Sequence, residues 1–92
     1  MIEKIIKSID RFVDAIYDID QIGLQERYLE FIENIDAFIR KMAEAGYEVN
    51  LNEDLMNIAN GMEKRDYIEV ADILLYTVKT DFQQLNLGEL EI

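Results

Sequence analysis

The chain has 92 residues, twenty of them Asp or Glu against nine Lys or Arg, for a net charge of −11, and it contains no His, Cys, Pro or Trp. That composition excludes thiolate and His-assisted nucleophiles, Cys/His zinc sites and any disulfide framework. The acidic balance also lacks the basic patch that nucleic acid or an anionic membrane surface requires. A 50% share of hydrophobic residues is nonetheless too high for a disordered acidic tail.

The length fits one small domain spanning 1–92. A chain of this size buries only about 60–65% of its unfolded surface, so regular packing or oligomerisation must supply what disulfides and metals cannot. The opening Met1-Ile2-Glu3-Lys4-Ile5-Ile6-Lys7 interrupts its apolar residues with charges and resembles no signal peptide. No window approaches the roughly 18 unbroken apolar residues of a membrane span. A cytoplasmic location is expected.

Ile2, Ile5, Ile9, Phe12, Ile16 and Ile19 alternate spacings of three and four, with Ile6 and Val13 widening the stripe. This predicts an amphipathic helix over about 2–20 that breaks near Gly23. Isoleucine has only moderate helix propensity, so the helix depends on tertiary burial. A second helix is predicted over about 24–45. Leu24, Tyr28, Phe31, Ile32, Ile35, Phe38, Ile39 and Met42 share one face, and Gly46 supplies a left-handed end.

After a short connection, Asn52 reads as the N-cap of a third helix over about 53–63, with Glu53 and Asp54 in its first turn. Leu51 and Met56 form a hydrophobic-staple pattern, and Leu55, Ile58, Ala59 and Met62 are its expected core face. Asp66 and Glu69 make an Asp-x-x-Glu capping pattern for a fourth helix over about 67–85. Its expected inner stripe is Tyr67, Val70, Ala71, Leu74, Val78, Phe82 and Leu85, and 87–92 reads as a loosely held tail. Four helices with short connections predict an all-α, antiparallel up-down-up-down four-helix bundle.

Carboxylates are the only plentiful chemical groups. Asp10, Asp14 and Asp18 repeat every fourth residue along one ridge, which is mildly repulsive and is a candidate Mg²⁺ or Ca²⁺ ridge. All three fall outside the Ile seam, so a solvated acidic face is the preferred reading. Asp72 lies between core residues and is expected to hydrogen-bond a nearby Tyr or helix end. Di-iron bundle chemistry needs Glu-x-x-His pairs, which a chain without His lacks. No catalytic residue and no cofactor is expected. Ile68, Leu75 and Tyr76, with Ile73 nearby, add apolar area outside the inner stripe and mark a candidate partner surface. Charge is uneven as well. Residues 1–46 hold ten acids and six bases, a net of −4, whereas 47–92 hold ten acids and three bases, a net of −7. A basic partner could be steered to that second half.

The phrase Met62-Glu63-Lys64-Arg65-Asp66-Tyr67, followed by Val70-Ala71-Asp72-Ile73-Leu74 and Tyr76, resembles a segment of small bacterial all-helical domains of unknown function. That resemblance covers about fifteen residues and implies an all-helical fold without a catalytic assignment. The overall format is similar to flagellar export chaperones, which would imply capture of a partner's terminal helix. The leading expectation is a non-enzymatic interaction module, chaperone or adaptor that self-associates as a homodimer through its fourth helix. The alternatives are a metal-binding or carboxylate-based enzyme or sensor, and an acidic inhibitor of a basic partner.

Overall fold

The computed structural model describes residues 2–18 and 21–86, apart from the side chains of 85 and 86. The predicted positions of Ile19 and Asp20 at the end of the first helix, the Leu85 side chain and the 87–92 tail lie outside the described residues. Every regular element described is helical: α1 (Ile2–Tyr17), α2 (Leu24–Glu44), α3 (Asn52–Lys64), α4 (Tyr67–Ile73), a π-helical turn (Leu74–Val78) and α5 (Lys79–Asn86). The last three run on without a break as the fourth helix of the sequence pattern.

Amphipathic spacing decides which faces meet. In α1, Ile5, Ile9, Phe12, Val13 and Ile16 are buried, joined by the small residues Ser8 and Ala15. This wide buried arc lets α1 pack along α2 on one side and along the fourth helix on the other. Ser8 is the one buried polar side chain among the described residues, and its hydroxyl donates to the Ile5 carbonyl at 2.7 Å. Burial without that bond would cost about 1–3 kcal/mol. On α2 the predicted stripe holds, with Leu24, Phe31, Ile35, Phe38 and Met42 buried and Tyr28, Ile32 and Ile39 partly so. Phe12 packs against Tyr28 and Phe31 at centroid distances of 5.5 and 5.8 Å, and Phe38 meets Phe82 edge-on at 5.1 Å.

Both helix–helix turns downstream are built on left-handed residues. At the end of α2, Gly46 takes φ 89°, Tyr47 N–H donates to Met42 O and Gly46 N–H donates to Ala43 O. This is a Schellman closure with Gly where the backbone asks for it. The end of α3 repeats the pattern with a different residue. Asp66 N–H donates to Gly61 O and Arg65 N–H to Met62 O, but the left-handed residue is Arg65, at φ 60°. Asp66 then caps α4 as expected, its carboxylate accepting from Glu69 N–H at 3.3 Å.

The start of α3 differs from expectation. The helix begins at Asn52 itself, and the Asn52 N–H donates to the Asn50 side chain at 3.2 Å. Leu51 packs against the core, but Met56, its expected staple partner, faces solvent and is 64% exposed. Leu55 packs on the core as expected. On the inner face Gly61 is buried and Ala59 is exposed, the reverse of the weight expected for Ala59. The backbone of α3 approaches α4 and the π turn, and no Cα of α2 lies within 8 Å of one in α3.

Candidate functional site

Two sets of side chains bear on function: Ile68, Leu75 and Tyr76, the expected partner surface, and the acids of α1, a candidate metal ridge whose preferred reading is a solvated face. The fourth helix positions the first set. Its buried row Val70, Leu74, Val78 and Phe82 repeats every fourth residue, and Ala71 widens it. Ile68, Asp72 and Tyr76 repeat at the same spacing, offset by two positions, and all three are exposed. Ile68 is 68% and Tyr76 75% exposed. Leu75 behaves differently. Together with Ile73, it is half-buried and packed against the core, so it serves the fold as well as any surface. Asp72 makes neither of its expected hydrogen bonds and stands in solvent between Ile68 and Tyr76.

The acidic ridge does not behave as one unit. Asp10 accepts a hydrogen bond from Lys79 Nζ at 2.7 Å, an ion pair joining α1 to α5 across 69 residues of chain. Asp14 and Asp18 are exposed on the outer side of the helix and its end. Among the described residues no three Asp or Glu side chains converge as metal ligands would. A shallow open groove along α2, lined by Glu33, Asp36, Ala37, Arg40, Lys41 and Glu44, mixes both signs of charge, and Arg40 is paired with Asp36 at 3.1 Å.

Among the described residues, two carboxylates have perturbed acidity. Burial pushes Glu30 up, but hydrogen bonds and charge from Arg27 and Arg11, each 3.0 Å away, outweigh it and leave Glu30 below the usual glutamate range. Asp54 is raised, first by burial and then by repulsion from Asp81 and Glu53. A like-charge cluster thus spans α3 and α5, in the half of the chain with the larger negative charge.

The Lys79–Asp10 pair and the Gly61 contact with α4 were not anticipated. Neither has a local signature, since each joins residues brought together only by packing. The π turn does leave a trace, the fourfold spacing of Val70, Leu74, Val78 and Phe82. No described helix is long and apolar enough to cross a membrane. No protein-family model, curated relative or solved structure matches the chain.

Proposed function

We propose that the protein is a non-enzymatic, cytoplasmic interaction module that pairs with a second copy of itself through the outer face of its fourth helix. The four helices are read as an antiparallel up-down-up-down arrangement. The carrying observation is the exposure of Ile68 and Tyr76 on one ridge of a helix whose opposite side is fully buried. Large apolar side chains aligned on a small acidic protein favour association, because burying them recovers about 25 cal/mol per Å² of apolar surface. Asp72 between them keeps the ridge soluble in the free chain. An adaptor or chaperone role, in the format of the flagellar export chaperones, would use the same ridge.

Sedimentation equilibrium from micromolar to millimolar concentration tests this. Wild type is expected to dimerise, and Ile68→Asp with Tyr76→Asp to weaken association at least about tenfold, with the unfolding midpoint close to that of wild type at concentrations where both are monomeric, since both side chains stand outside the core. Leu75→Asp is the poorer variant because it also injures the core. A wild type that stays monomeric throughout would sink the proposal.

A second reading, an acidic inhibitor of a basic partner, is favoured by the repulsion of Asp54 by Asp81 and Glu53, which such a partner would relieve. Capture of such a partner should weaken sharply between low and high salt, whereas ridge-mediated pairing should not.

A further inference from the structure

An α-helical turn takes about 3.6 residues, so a row repeating every fourth residue drifts steadily around the helix. Val70, Leu74, Val78 and Phe82 repeat every fourth residue over three intervals, yet each is at most 1% exposed. The wider π turn at Leu74–Val78 reconciles these facts. It takes up the excess, so that Val78 and Phe82 return to the side from which Val70 and Leu74 left. Its hydrogen bonding is of the matching kind. Lys79 N–H donates to Leu74 O, and the Thr80 hydroxyl donates to Leu75 O at 3.2 Å, both spanning five residues.

Packing holds the helix on both sides of this turn. Upstream, Val70 lies against Gly61 of α3. Downstream, Lys79 is paired with Asp10, and Phe82 stacks edge-on against Phe38. The backbone between these anchors therefore has a set distance to cover. Tyr76 and Thr77, inside the turn, are both exposed and contribute nothing to the buried row.

We propose that the fourth helix carries one residue more than its packing requires, that the π turn is the register adjuster absorbing it, and that Thr77 is dispensable to the fold. Removing Thr77 changes the spacing of Val70, Leu74, Val78 and Phe82 from four-four-four to four-three-four, the ordinary pattern of a buried α-helical face. The Lys79 N–H to Leu74 O bond then spans four residues and becomes an α-helical bond without changing partners. Lys79 and Phe82 keep their places opposite Asp10 and Phe38.

The test is a pair of single-residue deletions in the full chain, followed by circular dichroism and thermal unfolding. Deleting Thr77 should leave helicity intact and the unfolding midpoint within about 4 °C of wild type or above it. Deleting Glu33 provides the scale. It is exposed too, but it lies in α2 where Phe31, Ile35, Phe38 and Met42 already follow four-three-four spacing, so its loss must misplace one side of the face. A midpoint loss for the Thr77 deletion of less than half that for the Glu33 deletion supports the proposal. A loss of half or more, or failure to fold, overturns it. Amide exchange gives an independent reading: protection at Lys79 N–H should persist in the Thr77 deletion, and its disappearance would also count against the register adjuster.

Discussion

Gly61 shows how a side chain that is absent can be a packing requirement. It is buried in α3, and a Cβ there would stand 2.6 Å from Val70 Cγ2 and 3.5 Å from the Asp66 carbonyl. Replacing a mid-helical glycine with alanine ordinarily gains about 0.5–1 kcal/mol. Here Val70 is fully buried and its short branched side chain cannot swing aside, so overpacking costing about 1–3 kcal/mol should dominate. Gly61→Ala is expected to destabilise by about 1–2 kcal/mol in urea denaturation, and by clearly less when Val70→Ala is present. A neutral or stabilising Gly61→Ala would show that α3 can move away from α4 at little cost. In sequence this glycine is only a weak point near a helix end. Nothing local distinguishes a glycine that ends a helix from one that admits a neighbour.

Caps and turns are where the four elements were most legible. Gly46 and Asp66 do what their residue types suggest, because a left-handed end and a side-chain acceptor are local requirements. The exception is the start of α3. Asn50 and Asn52 are both capping residues two positions apart, yet Leu51 between them takes the N-cap position, with the Asn50 side chain accepting from Asn52 N–H. The α3–α4 turn keeps Arg65 in a left-handed conformation that costs an L-residue about 1–2 kcal/mol. Arg65→Gly should therefore stabilise the protein by about 0.5–1 kcal/mol, net of the larger chain entropy that glycine brings to the unfolded state. Chemical denaturation measures the gain. A loss instead would assign the Arg65 side chain a contact that outweighs its backbone strain.

The assembled fold governs the pH response. Asp54 holds its proton to higher pH in the folded state than its ordinary value of 3.8, so it opposes folding once pH rises above that value, and the burden is relieved as pH falls. Glu30 is shifted the other way: the stability it contributes is present above its ordinary 4.5 and is lost as pH falls through its lower folded value. Asp81→Asn, which removes a like charge facing Asp54, should raise the melting temperature at pH 7, and the gain should shrink toward zero near about pH 3. Glu30→Gln should lower it at pH 7, with the deficit closing over the acid range. Melting curves of both variants from about pH 3 to 7 decide this. Parallel curves for Asp81→Asn and wild type would mean that Asp54 and Asp81 do not couple.

The number of helices, their approximate bounds and most of their buried faces follow from periodicity and end residues, which act over one or two turns of chain. Function was less legible. Of the three proposed contact residues, Ile68 and Tyr76 are exposed as expected, while Leu75 is drawn half into the core by the helix around it. The ridge of Asp10, Asp14 and Asp18 looked uniform in sequence, yet folding pairs Asp10 with a lysine 69 residues away. The Gly61 approach and the Asp54–Asp81 repulsion likewise belong to packing alone, and the π turn leaves in the sequence only a spacing that packing gives its meaning. Each depends on distances between helices, and a linear pattern records which face is apolar but not how closely two such faces meet.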